Sequence, residues 1–234
     1  MIDLHCHILP GIDDGPSEWE EAVRLARAAF ADGIRTIVAT PHVGDSTISA
    51  EAISGLVEEL NRRLGEEGIP LEVLPGAEVP VPVPALALKP YSLNGSNYVL
   101  VEFPPSHVPR AAAEWVFGLR AAGLTPIVAH PERNPSVLRD PGILTALLGA
   151  GALAQITAAS LVDPLDRDVF ACARYLVGKG AVHFLATDAH STHWRPPILS
   201  EGLRAAVDIL GEDRAWRLVR AHPEAVLSGR PIHG

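Results

Sequence analysis

The chain is 234 residues long, 47% hydrophobic, and carries a formal net charge of −9. Such a length and apolar fraction allow a substantial buried core, and the acidic balance excludes recognition of nucleic acid or an anionic membrane through bulk charge. Two cysteines without paired spacing, Cys6 and Cys172, exclude a disulfide framework and a cysteine zinc site.

The opening "MIDLHCHILP" lacks the basic-then-apolar pattern of a leader, and no apolar run reaches spanning length. A cytoplasmic protein without direct membrane insertion is therefore expected.

In chain order, a first strand "MIDLH" leads into a Gly/Pro-rich loop holding Asp13 and Asp14. "SEWEEAVRLARAAFADG" then reads as an amphipathic helix, with Ser17 as N-cap and Gly33 as stop. The strand "RTIVAT", the helix "SAEAISGLVEELNRRLGEEG" and the strand "LEVLPG" follow. "EVPVPVPALALKPYSLNGSN" is too rich in proline for a long element and reads as a connection with a short helix. Beyond it come the strand "NYVLVEF", the helix "RAAAEWVFGLRAAG" and the strands "TPIVAH" and "ALAQIT". The helix "DRDVFACARYLVGKG" and the strand "VHFLAT" complete the alternation. Apolar strands separated by helices that stop at glycine are the rhythm of a parallel sheet with crossover helices. No linker divides the chain, so residues 1–234 are expected to form one domain.

Nearly every candidate strand ends in unusual polar groups: "DLHCH", "ATPH", "PGAE", "LVEF", "AHPER" and "ATDAH". Strand ends of an α/β barrel gather at one face, so these motifs are expected to meet. Alternation puts His5 and His7 on one side and Cys6 on the other, and places Asp188 with His190 if the strand persists. His42, Glu78, Glu102 and His130 arrive singly, and Asp13 or Asp14 comes from the first loop. Glu102 lies between Val101 and Phe103, where a carboxylate needs a partner. Imidazoles and carboxylates without thiolate suit manganese, iron or zinc, and their number exceeds the needs of one ion. Such a cluster generates hydroxide near neutral pH and stabilises an oxyanion.

The motifs "DLHCHILPGIDDGP", "TPH", "GAE", "VEFP", "HPER" and "TDAHS" together resemble the polymerase-and-histidinol-phosphatase (PHP) superfamily. More narrowly, they resemble its bacterial tyrosine-protein phosphatases of capsular and exopolysaccharide synthesis, from Met1 to about Pro197. The resemblance implies a distorted seven-stranded (β/α) barrel with two or three divalent metals, manganese foremost. It implies His5, His7, Glu78 and Asp188 on a first metal, and Glu78, Glu102 and His130 on a second. Asp14, His42 and His190 would hold a third, leaving Asp13 to the turn. Arg133 of "HPER" would hold the substrate phosphate, and Arg195 of "HWRPP" would be a second arginine near it. The implied substrate is a phosphotyrosine protein or peptide, with the tail of a bacterial tyrosine kinase as the partner. The chain departs from the family at "TAAS", around Thr157 and Ser160, and at Asn134, where an aromatic is usual.

Three other functions are weighed. A small-metabolite phosphatase of the histidinol-phosphatase type would use the same scaffold. An amidohydrolase would need a lysine on a central strand, and the candidate strands have none. A non-catalytic barrel would have little reason to hold nine ligands together. His107, His183, His193, His222 and His233 are assigned to surface or core, and Cys6 and Cys172 to core.

Overall fold

In the computed structural model, which describes residues 1–43 and 48–232, the chain alternates strands and helices as its periodicity requires. His233 lies outside the described residues. The strands are β1 (Ile2–Cys6), β2 (Thr36–Ala39), β3 (Glu72–Pro75), β4 (Glu78–Pro80), β5 (Tyr98–Glu102), β6 (Thr125–Ala129), β7 (Leu153–Thr157) and β8 (Phe184–Ala186). The principal helices are α1 (Trp19–Ala31) and α2 (Ala50–Glu66), then a short α3 (Ala85–Leu88) and α4 (Ala112–Ala121). They continue with α5 (Pro135–Arg139), α6 (Gly142–Gly149), α7 (Arg167–Gly178), α8 (Ser200–Leu210), α9 (Glu212–Val219) and α10 (Ala221–Leu227).

Eight strands among the described residues replace the seven expected, and they form two all-parallel sheets, β1-β2-β3 and β4-β5-β6-β7-β8. The extra strand is β4, at the start of the proline-rich segment expected to be only a connection, and the chain turns from β3 into it at Gly76. A Cβ there would lie 2.8 Å from Val38 Cγ1 and 2.9 Å from Leu93 Cδ2. Only glycine lets the chain pass so close to its neighbours, and the pairing partner changes across it.

The sheets meet at two seams, and both carry candidate ligands. At one, Asp188 N–H donates to the His5 carbonyl and His7 N–H to the Ala189 carbonyl, each at 2.8 Å. At the other, Glu78 N–H donates to the Pro41 carbonyl and Val43 N–H to the Glu78 carbonyl, each at 3.1 Å. These four N–H groups at the seams are thus paired, as buried amides require.

Two apolar layers flank the strands. Leu4, Val38, Leu100, Ile127 and Phe184 form an inner cluster with Tyr98 and Val226. The larger outer cluster packs the helices onto the sheets and includes Cys6 and Cys172, as expected of small core residues. The β1–β2 register shifts between Asp3 and Cys6, and Leu4 joins the inner cluster while Cys6 joins the outer.

Helix ends follow the sequence with one correction. Gly33 ends α1 at φ +96°, and the Ser49 side chain caps α2 by accepting from Ala52 N–H at 3.2 Å. Ser17 is not the cap of α1. The helix starts at Trp19, and the Ser17 N–H and hydroxyl donate to Glu21 Oε2 at 2.8 and 2.9 Å. The carboxylate of the first turn thus reaches back to the chain before the helix.

Candidate metal centre

The polar residues at the strand ends converge, and all nine candidate ligands fall into one set of overlapping groups. Four overlapping groups have ligand atoms within 4.8 Å of one another: His7, Asp14, His42 and His190; His5, Glu78 and His130; His5, His7 and Asp188; and His42, Glu78 and Glu102. The first set extends the expected third metal group by His7. The others redistribute the remaining ligands without losing any.

The approach to β8 differs from expectation. Strand geometry stops at Ala186, and Asp188 takes φ +53°. Asp188 and His190 therefore reach the site through the seam with β1 rather than through strand alternation. His130 and Arg195 also have positive φ, at +29° and +57°, so three of the four non-glycine residues in this region among those described belong to the site. Conformations of this kind are strained and persist where surrounding contacts fix them.

Glu78 is the hub. It is 1% exposed, and its Oε1 accepts from His130 Nε2 at 3.0 Å. Its Oε2 faces His42 Nδ1 at 3.2 Å, His5 Nε2 at 3.3 Å and His7 Nε2 at 3.5 Å, yet none has hydrogen-bond geometry. A buried carboxylate oxygen surrounded by imidazole nitrogens, with no hydrogen bond, fits a shared divalent cation. Burial pushes the Glu78 pKa up, but His5, His130 and His7 outweigh it and hold it well below the usual range.

Asp188 divides its oxygens between two tasks. Oδ1 lies 3.4 Å from His5 Nε2 and 3.6 Å from His7 Nε2. Oδ2 accepts from Arg133 Nη1 at 2.9 Å and from Arg195 Nη2 at 2.5 Å. Burial raises its pKa, yet His5, His130, Arg195 and Arg133 together lower it. Both guanidiniums thus point into the pocket from one carboxylate. Arg133 does not pair with its neighbour Glu132, which turns inward to accept from Thr157 N–H at 2.9 Å and Ser160 Oγ at 2.8 Å.

Glu102 is 28% exposed, with Oε1 3.8 Å from His130 Nε2. Its pKa is raised by burial and by Glu78. The partner its apolar setting demanded is therefore the cluster itself. Asp14 Oδ1 lies 3.2 Å from His190 Nε2 and 3.7 Å from His42 Nε2.

A supporting layer fixes the imidazoles. His5 Nδ1–H donates to Gln155 Oε1 at 2.9 Å, His7 Nδ1–H to Asp13 Oδ2 at 2.7 Å, and His190 Nδ1–H to the Asp188 carbonyl at 2.9 Å. Each bond turns Nε2 toward the cluster, the usual arrangement around a metal-binding histidine. Asp13 also accepts from the N–H groups of Gly15 and His42, so it braces two loops as well as shaping a turn. Asp3 accepts from Thr187 Oγ1 at 2.5 Å and from the N–H groups of Thr187 and His5. Sequence reasoning missed Gln155, Asp3 and Glu132. The signal was available for the first two: a polar side chain inside "ALAQIT" or "MIDLH" needs a partner as much as Glu102 does. Of the other histidines, His107 and His193 are exposed, while His183 accepts from Ala154 N–H and is partly buried.

The sequence model of the capsular polysaccharide synthesis family CpsB/CapC matches residues 1–228. The chain belongs to this family. It is 41% identical over 238 residues to tyrosine-protein phosphatase YwqE of Bacillus subtilis (strain 168), across 99% of this chain and 93% of that one. Tyrosine-protein phosphatase CpsB of Streptococcus agalactiae serotype III (strain NEM316) is 28% identical across 99% of this chain and 100% of its own. A solved chain matches with TM-score 0.94 and 38% identity, covering 100% of this chain and 96% of that one. It comes from crystal structures of YwqE from Bacillus subtilis and CpsB from Streptococcus pneumoniae, described as unique metal-dependent tyrosine phosphatases.

Two predictions follow from the donor geometry. In the metal-free protein, burial lowers the basicity of His7 and His130, but Asp13 and Glu78 raise His7 to about 10 and Glu78 raises His130 to about 9. Both rings are then protonated near pH 7.5, and a cation must displace those protons. Manganese binding in weak buffer should release about two protons per chain, with affinity rising until pH passes the two folded-state values. The sign for stability is opposite. The metal-free fold keeps these rings' contribution below about 6.5, their unfolded value, and loses it as pH rises through 9 to 10. Titration without proton release would contradict this. Separately, Gln155→Leu should weaken metal binding by about ten- to a hundredfold, as read by competition with a metallochromic chelator.

Proposed function

We propose that the protein is a metal-dependent phosphatase that removes phosphate from phosphotyrosine in a protein or peptide. The observation that carries this reading is the convergence of Arg133 and Arg195 on Asp188 at the rim of a five-imidazole, four-carboxylate cluster. The named activity of the relatives, along nearly the whole chain, supports it. We read the two sheets and their seams as one interrupted barrel of the PHP type, and residues 1–234 as one domain.

His5, His7, Asp14, His42, Glu78, Glu102, His130, Asp188 and His190 would hold two or three divalent ions, manganese before iron or zinc. When bound, such ions supply hydroxide near neutral pH and positive charge for phosphoryl oxygens. The chain's own residues do the rest. Arg133 and Arg195 offer fixed guanidinium N–H groups to the dianionic phosphate, with planar geometry suited to its oxygens. Asp188 Oδ2 holds both before substrate arrives, so little reorganisation is needed. A tyrosine phenolate leaves with a pKa of about 10, so a strong general acid is dispensable.

The amidohydrolase alternative lacks its lysine. The chain has only Lys89 and Lys179, one in a 3-10 turn and the other at the end of α7. The small-metabolite phosphatase remains distinguishable by substrate. The tail of a bacterial tyrosine kinase is the partner we favour, and the cytoplasm the compartment. Among the described residues no helix is long and apolar enough to cross a membrane.

Metal-stripped protein should release phosphate from a phosphotyrosine peptide only after manganese is restored, and should act far more slowly on a phosphoserine peptide and on histidinol phosphate. His5→Ala should abolish the manganese-restored activity, and Arg133→Ala should cost at least about a hundredfold in kcat/KM. Preference for histidinol phosphate would favour the metabolite reading. No release from any ester with any metal would defeat the phosphatase reading.

A further inference from the structure

The cavity containing the two arginines does not end at them. It measures about 230 Å³ and continues from Arg133, Arg195 and Asp188 beneath the segment after β5. There its lining becomes Phe103, Pro105 and Val108, backed by Val137 and Leu147. Every ionisable residue lining the cavity belongs to the metal cluster or is one of the two arginines. The other end is apolar.

That end is also held in shape. Asn134 Nδ2 donates to the Pro104 carbonyl at 3.0 Å, and Val108 N–H donates to Ser136 Oγ at 3.1 Å. Both side chains lie at the start of α5, where Asn134 Oδ1 also accepts from Ser136 N–H. Phe103 is steadied by an edge contact with Trp115. The walls are therefore fixed independently of a ligand, which reduces the ordering cost of binding.

We propose that this apolar end is the subsite for the aromatic ring of the substrate, with Val108, Phe103 and Pro105 selecting for an aryl leaving group. The proposal rests on the phosphatase reading above. A phosphoryl group held by Arg133 and Arg195 must direct its organic substituent along the cavity, and a ring can line an apolar wall without unpaired polar atoms. A phosphoserine would draw peptide amides toward the same wall, where the one polar side chain, Asn134, is already engaged by the Pro104 carbonyl and the Ser136 N–H. Asn134, the departure from the family pattern, acquires a role here as the tether of the wall.

The test uses the manganese-loaded full chain and two substitutions at Val108, whose side chain is partly exposed outside helix and strand. Val108→Trp should raise KM for a phosphotyrosine peptide and for phenyl phosphate at least about tenfold. Competitive inhibition by inorganic phosphate, which does not reach the wall, should stay unchanged. Val108→Ala should raise the kcat/KM ratio of 1-naphthyl over phenyl phosphate about tenfold, a gain that misfolding cannot produce. Unchanged aryl kinetics in both variants, or an equal loss on aryl and alkyl esters with weakened phosphate inhibition, would overturn the subsite while leaving the phosphatase intact. A wild-type protein that hydrolyses no phosphomonoester would remove both.

Discussion

Two carboxylates withdrawn from water, Glu78 and Asp188, set the terms for the rest of this structure. Each is 1% exposed. Removing an ion from water costs several kcal/mol even after relaxation, and only close opposite charge with good geometry offsets it. The fold meets that demand from every side: imidazoles from β1, the loop after β2 and the end of β6, and guanidiniums from Arg133 and Arg195. The acidic net charge makes the concentration of positive groups here more telling.

The seams explain why this arrangement holds. Backbone pairing at Cys6–Ala189 and His42–Glu78 closes the gaps between sheets at the same residues or their neighbours that line the cluster. The contacts that join the sheets therefore also bring the cluster together. The Asp3–Thr187, Asp13–His42 and Glu132–Ser160 contacts reinforce neighbouring loops from below. Positive φ at His130, Asp188 and Arg195 places the local strain where functional groups are aimed.

Much of this was legible in the sequence because strand ends have a simple rule. A run such as "TPIVAH" or "RTIVAT" reveals both the strand and the place where its polar terminus emerges, so eight candidate ligands could be named from it, and only the family resemblance chose Asp14 over Asp13. β4 was not legible, since "EVPVPVP" is too rich in proline to read as a strand until its pairing with β5 is known. The path to Asp188 was hidden because a left-handed aspartate has no periodicity. Ser17 was misread because its hydroxyl can accept from a helix N–H as a cap or donate to a carboxylate, and here it donates to Glu21 of the first turn. Gln155 was overlooked because an amide within an apolar strand draws less notice than a charge, although it is as costly to bury unpaired.

The central claim is that Glu78 and Asp188 are buried together to hold divalent cations beside two phosphate-binding arginines. Anomalous diffraction at the manganese edge, from crystals grown with manganese, tests it most directly. Peaks are expected within the cluster, one of them in contact with Glu78 Oε2, and none coordinated by Cys6 or Cys172. Manganese held elsewhere on the chain, or a cluster without any peak, would contradict it.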